Sequence, residues 1–221
     1  MSSPGPAPAG ALAHHFESLE QQQEAATLGM WAFLVQEVMF FGGLFTTYLV
    51  YRDLHPAAFV EGSAHLPIAL GTFNTAVLIG SSLTMALAVR AAQLGRGRGT
   101  ALFIVATMLL AGVFLGVKSV EYAHKWHDGL IPGVRWTPEA GADPHLNLFF
   151  ALYFIMTGTH ALHMLVGLVL MVIVAVRALR GRYSAANTIG VECLGLYWHF
   201  VDLVWIFLFP LLYLLHGHGH P

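Results

Sequence analysis

The sequence predicts an all-α protein, an integral membrane bundle of five transmembrane helices with its N-terminus cytoplasmic and its C-terminus periplasmic. Three observations lead there. Of 221 residues, 57% are hydrophobic and only 10% are charged, whereas soluble domains carry about 25% charge. Five apolar runs each reach the ~20 residues needed to cross a ~30 Å hydrocarbon layer as a helix. The basic residues are also distributed unevenly. Arg90, Arg96, Arg98, Arg177, Arg180 and Arg182 fall in connections on the N-terminal side, against Arg52, Lys118, Lys125 and Arg135 on the other. The positive-inside rule then orients the chain.

In order, residues 1–24 form a flexible cytoplasmic segment. Met1–Gly10 is rich in Pro, Gly, Ala and Ser and reads as disordered. Phe16–Glu24, acidic and glutamine-rich, reads as a short interfacial helix. No basic n-region or apolar h-region precedes Ala25, so the first span is expected to act as its own insertion signal. The spans are expected near Ala25–Tyr51, Pro67–Ala92, Thr100–Tyr122, Leu146–Val176 and Ile189–Leu215, making 25–215 the membrane domain. The fourth is longer than a bilayer requires and should tilt or project. No span alternates as a barrel strand does. The connections are short except His124–His145, whose prolines, glycines, Trp126 and Trp136 suggest an ordered cap. Residues 216–221 form a His/Gly-rich tail. His216, His218 and His220 could meet a metal there, but a flexible tail offers no preorganised site.

Several function classes drop out early. Net charge is −2 with no basic cluster of the kind nucleic acid requires. A single cysteine, Cys193, forbids an internal disulfide framework or a cysteine-held cluster and reads as a small packing residue. There is no phosphate loop or dinucleotide fingerprint. No nucleophile stands beside His199 and Asp202 in the manner of a serine triad.

What remains is a set of polar side chains at membrane depth, each costing roughly 2.5–3.5 kcal/mol on insertion scales and therefore needing a partner, water or a role. Glu37 lies mid-way along the first span, after Gln36 and before Gly42 and Gly43, which offer a neighbour close approach. A carboxyl there is neutral unless paired. It reads either as a proton-handling or inter-subunit group, or as a protonated glutamic acid bonded across a helix pair. Asn74, Ser81, Ser82 and Thr84 read as hydrogen-bond donors between helices. Gly112 and Gly116 form a GxxxG close-packing pattern, and Lys118 and Glu121 can pair along their helix. His160 and His163 share one helix face, with His199 on the next span. They could converge on haem, or with Asp202 on copper or iron; hydrogen bonding within the bundle is the plainer alternative. His199 and Asp202, three apart, should pair with each other.

Together these segments resemble subunit III of the haem-copper oxidases, from about Leu28 to Tyr213. The glutamate-bearing first span, the polar packing after Asn74-Thr75 and the Glu121-Tyr122 pair carry part of the likeness. FIMTGTHALHMLVG (Phe154–Gly167) and ECLGLYWHFVDLVWIFLFPLLY (Glu192–Tyr213) carry most of it. The resemblance implies a non-catalytic subunit of a cytochrome c or quinol oxidase in a bacterial inner membrane, beside the catalytic subunit I. There it would sustain proton uptake and stability while oxygen is reduced to water. It implies haem and copper in partner subunits and none in this chain, with bound phospholipid possible. Glu37 matches the family's buried reactive carboxyl; Glu121, His160, His163, Glu192, His199 and Asp202 fall on matching positions as structural or inter-subunit polar groups. Longer members begin with two further helices that form a lipid cleft. This chain enters the matching region near Leu28, as shorter bacterial members do, so a cleft would need its wall from a neighbouring subunit. The histidines some relatives carry before the last span are lacking around Ala185–Thr188. Two alternatives stand beside this reading: the subunit-III-like accessory protein of nitric oxide reductases, and a stand-alone haem-binding membrane cytochrome.

Overall fold

A computed structural model describes residues 16, 18–138, 142–181, 183 and 187–215. Within them are α1 (Leu19–Leu54), α2 (Pro56–Ala64), α3 (Ile68–Gln93), α4 (Gly97–His127), β1 (Leu130–Ile131), β2 (Arg135–Trp136), α5 (Leu146–Leu179) and α6 (Ile189–Tyr213). All but α2 among the helices are long and apolar enough to cross a membrane, giving the five expected spans. At 36 and 34 residues, α1 and α5 exceed what the hydrocarbon requires. The tail histidines His216, His218 and His220, together with Met1–Gly10, lie outside the described residues.

The helix starts and stops follow local chemistry. Ser18 caps α1 by accepting from Gln21 N at 3.1 Å, so residues 19–24 continue into the first span instead of forming a separate interfacial helix. Gly95 ends α3 in the left-handed region (φ 69°), which returns the Gly95 and Arg96 amides to Ala92 O and Ala91 O at 2.8 and 2.9 Å. The connection after α1, expected to be short, carries the helix α2. Pro56 stands at the first turn of α2, where its missing N–H costs nothing. Phe59 of α2 is buried edge-on against Phe149, with ring centroids 5.5 Å apart.

Helix α3 packs on α4 and α6, and α5 packs on the same two, closing a four-helix ring; α1 leans on α6 from outside. The ring is aromatic: Trp198, Trp205, Tyr153, Phe114 and Phe149 are fully buried in it. Trp198 seats because Gly167 carries no side chain; a Cβ there would lie 2.9 Å from Trp198 Cζ3. Helix α1 by contrast shows Leu28, Val35, Val38 and Met39 on its outer face, apolar groups that suit lipid or a partner. Tyr48 fastens its far end by donating to Leu211 O at 2.6 Å, one of the carbonyls the end of α6 leaves free.

Two glycine expectations need correction. Among the described residues, and leaving aside the local backbone of the same helix, nothing comes within 4 Å of a Cβ built at Gly42, Gly43, Gly112 or Gly116. Gly42 borders an open groove beside α6 while Gly43, Gly112 and Gly116 are exposed, so neither the GG pair nor the GxxxG pattern marks a close approach among the described residues. The cap over the far end is an antiparallel pair, Leu130 opposite Trp136 and Ile131 opposite Arg135. Trp136 packs on Phe150 with centroids 6.1 Å apart, whereas Trp126 is exposed, with the Arg135 guanidinium 6.0 Å from its ring centre.

Candidate functional site

Glu37 is buried at the middle of α1, although that helix is the least enclosed of the five. Its Oε2 lies 3.1 Å from Nε2 of His163 on α5. The other ring nitrogen, Nδ1, lies 2.9 Å from Thr159 O. A carbonyl only accepts, so Nδ1 carries a hydrogen. Two protonation patterns satisfy the Nε2 contact: a neutral imidazole accepting from a carboxylic acid, or an imidazolium donating to a carboxylate. Both place one proton between Glu37 and His163 and both leave the pair with no net charge. That is how a carboxyl is tolerated at this depth. Phe41 stacks edge-on against His163 at 5.2 Å, and Tyr197 donates to His163 O at 2.8 Å.

His160 does not join this pair. Three residues of helix rotate its ring by about 60° from that of His163, which turns it inward. It packs against Trp205 and Phe114 with centroids 5.4 and 5.6 Å away, and neither nitrogen has a hydrogen-bond partner. His199 goes a third way, its Nδ1 2.7 Å from Ser82 Oγ on α3. The three histidines thus point to three neighbours, and among the described residues no group of three or more His, Cys, Asp or Glu is placed to hold a metal ion.

The expected His199–Asp202 pairing is also corrected. Ser82, not Asp202, partners His199. Both side chains reach toward α3, where Ser81 and Ser82 supply hydroxyls. Asp202 is buried beside Ser81 and Ser82, yet neither carboxyl oxygen makes a well-formed hydrogen bond. Ser81 spends its own hydrogen on Leu78 O at 2.8 Å. It then accepts from Trp198 Nε1 at 3.1 Å, as Thr75 does from Trp205 Nε1 at the same distance. Ser81 is therefore an acceptor between helices, the reverse of its expected role, because an indole N–H only donates. Asn74 does donate across the ring, at 3.5 Å to Phe114 O, and Thr84 shares a hydrogen bond with Thr107 at 2.8 Å. Glu192 sits in the first turn of α6, where Thr188 and Gln93 donate to its Oε1 at 2.9 and 3.2 Å.

The densest polar cluster lies at the α2 end of the ring. Lys118 and Glu121 pair at 3.1 Å along α4 as their spacing predicts. Sequence reasoning missed the rest of the cluster. Lys118 Nζ also donates to Tyr213 and Tyr153 hydroxyls at 2.9 and 3.0 Å. Those hydroxyls donate to Glu121 Oε1 at 2.6 and 2.5 Å. The available signal was two tyrosines within apolar runs, since a buried phenol seeks a partner.

Against known proteins, the family model for cytochrome c oxidase subunit III matches residues 11–217. The chain is 38% identical over 188 residues to cytochrome c oxidase subunit 3 of a Synechocystis species, covering 85% of this chain and 74% of that protein. It is 35% identical over 189 residues to cytochrome c oxidase subunit 3 of Thermostichus vulcanus, covering 85% and 86% respectively. Quinol oxidase subunit 3 of Bacillus spizizenii matches at 28% identity over 200 residues, covering 89% of this chain and 92% of that protein.

Proposed function

Since the chain belongs to the cytochrome c oxidase subunit III family, we propose that its Glu37–His163 pair holds a proton at mid-membrane that supports proton uptake by the catalytic subunit. The protein is subunit III of a haem-copper oxidase, an integral membrane component of a terminal respiratory complex that associates with other oxidase subunits. It packs beside subunit I in a bacterial cytoplasmic membrane. The arginine-bearing turns and the N-terminus face the cytoplasm, in keeping with the positive-inside rule. Haem and copper reside in the partner subunits, which also select the electron donor; relatives are named for both cytochrome c and quinol. Phospholipid covers α1. A groove of about 270 Å³ between α1 and α6, lined by Phe41, Gly42, Phe45, Phe200 and Phe207 among other apolar groups, suits an acyl chain.

The observation that carries this reading is the Glu37–His163 contact, with Nδ1 committed to Thr159 O. One proton is thereby confined to a single gap on the less enclosed side of the molecule. The test is sustained oxygen reduction by the assembled oxidase. Glu37→Gln keeps the side-chain shape and removes the exchangeable acid, and the expected outcome is normal initial turnover that decays faster than wild type. An unchanged turnover lifetime with the subunit fully retained refutes the proton role.

A further inference from the structure

At the end of α1, two side chains of opposite charge share one hollow without pairing. Arg52 and Asp53 line an opening of about 540 Å³ together with Leu49, Pro56, Phe59 and Val60, among others, a volume in the ~300–1,000 Å³ range of small-molecule sites. Arg52 is half-buried in the last turn of α1 and Asp53 is exposed. Neither makes an ion pair or a side-chain hydrogen bond among the described residues. A second opening lies on the same line. Val38, Phe41, Gly42 and Phe45 border the apolar groove beside α6, and Leu49 and Arg52 follow them at helical spacing on one face of α1. Across the seam, Phe200, Val204 and Phe207 of α6 wall the groove, and Leu215, just beyond α6, borders the hollow. Tyr48 ties α1 to α6 between the two openings through Leu211 O. It is fully buried, so it leaves the surface of the seam to Phe45 and Leu49.

Length and lining select the occupant. Arg52 stands 14 residues beyond Val38 on α1, about 21 Å along a helix, against ~20–22 Å for one membrane leaflet with its headgroups. The guanidinium matches a phosphate, to which it can offer two parallel N–H donors. A plain anion would also meet the Asp53 carboxylate, which repels it. A ligand carrying both a phosphate and an ammonium satisfies the two side chains at once. A primary ammonium donates hydrogen bonds to a carboxylate, whereas the quaternary nitrogen of choline has none to give. The apolar walls add a long hydrocarbon to the requirement, since a soluble zwitterion would leave Leu49, Val60 and the groove uncovered.

We propose that the hollow seats the headgroup of a phospholipid bearing a primary amine, its phosphate on Arg52 and its ammonium on Asp53, with one acyl chain laid along the α1–α6 groove toward Phe41. The seat rests on phospholipid covering α1, as proposed for the function, and adds the headgroup, the leaflet and the residues that hold it. The leaflet is the one opposite the arginine turns. All the lining residues belong to this chain, so the seat needs no wall from a neighbouring subunit, unlike the cleft that two further helices build in longer members. The chain ends beside Phe41, which stacks edge-on against His163 at 5.2 Å. An occupied groove therefore sets hydrocarbon instead of water against the cover of the Glu37–His163 pair.

The test uses the intact oxidase and a phosphatidylethanolamine probe carrying a diazirine at the end of one acyl chain, with peptide mass spectrometry as readout. Light should attach the probe within residues 38–45 and 200–207, the two walls of the groove. Unlabelled phosphatidylethanolamine should displace it several-fold better than phosphatidylcholine or phosphatidylglycerol, and inorganic phosphate should not displace it. Arg52→Gln should lower labelling on the order of tenfold, as loss of one charge-assisted contact implies, and Arg52→Lys should restore most of it. Asp53→Asn should keep the label and erase the preference for ethanolamine. Equal labelling of wild type and Arg52→Gln overturns the seat, as does displacement by inorganic phosphate, which would mark a free anion site. Groove labelling that ignores the headgroup also overturns the seat while leaving phospholipid on α1; no groove labelling overturns both. The displacement measurements use wild type alone and so do not depend on any variant folding.

Discussion

Replacing Lys118 by Met should weaken the four-helix ring. Lys118 is 5% exposed and makes three hydrogen bonds, two of them to hydroxyls on other helices, Tyr153 of α5 and Tyr213 of α6. Lys118→Met fills the same space but leaves the Glu121 carboxylate buried without its counter-charge, and breaking a buried pair from one side costs about 3–5 kcal/mol. At about 1.4 kcal/mol per decade, that is a loss of more than 100-fold in the folding or docking equilibrium. Adding Glu121→Gln removes the stranded charge while sparing a hydrogen-bond acceptor for both tyrosines. The double variant should therefore recover most of the loss, ending within about 1–3 kcal/mol of wild type. The assay is a double-mutant cycle read as retention of the subunit in the oxidase under graded detergent challenge. Additive losses, or a Lys118→Met complex as robust as wild type, refute the claim that the charges are mutually dependent.

Gly167→Leu should cost about 1–3 kcal/mol by driving a side chain into Trp198, where even a Cβ would lie at 2.9 Å. Gly112→Ala should stay within about 0.5 kcal/mol because, among the described residues, no neighbouring helix comes within 4 Å of the added Cβ; thermal retention of the subunit in the complex compares the two. Ser81→Ala strands the Trp198 indole N–H inside the ring and is expected to cost about 1–3 kcal/mol, measured by tryptophan fluorescence through the unfolding transition. Ser82→Ala should alter the histidine ring signals of His199 in nuclear magnetic resonance, whereas Asp202→Asn should leave its Nδ1 bond in place. The opposite pattern restores the direct His199–Asp202 pairing.

Much of the site was legible before the fold was known, and the residues differ in why. Lys118 and Glu121 stand three apart on one helix, a relation that survives any packing, so their pairing could be read directly. Glu37 was recognisable because a carboxyl in an apolar run demands a partner, yet nothing in the sequence singled out His163 over His160. Those two histidines differ by about 60° of rotation, enough to send one to Glu37 and the other between Trp205 and Phe114. The glycine patterns misled for a related reason. A GxxxG repeat states that two small residues share a face, and among the described residues no neighbouring helix comes within 4 Å of a Cβ at Gly112 or Gly116, while Gly167, outside that pattern, admits Trp198.

Hydropathy and length alone determined the five spans, because the cost of burying a free backbone in lipid leaves an apolar run of this length one stable form. Helix termini were partly legible for the same local reason: caps such as Ser18 and turns such as Gly95 act within a few residues. The identities of long-range partners were decided only in the tertiary structure. Lys118 and Tyr213 are 95 positions apart, and Ser82 and His199 are 117. Whether such residues meet depends on how α3, α4, α5 and α6 are rotated about their axes, and that rotation is set collectively by the packing of Trp198, Trp205 and Phe114. The groove that α6 presents to α1, and the hollow beyond it, exist only once those rotations are settled.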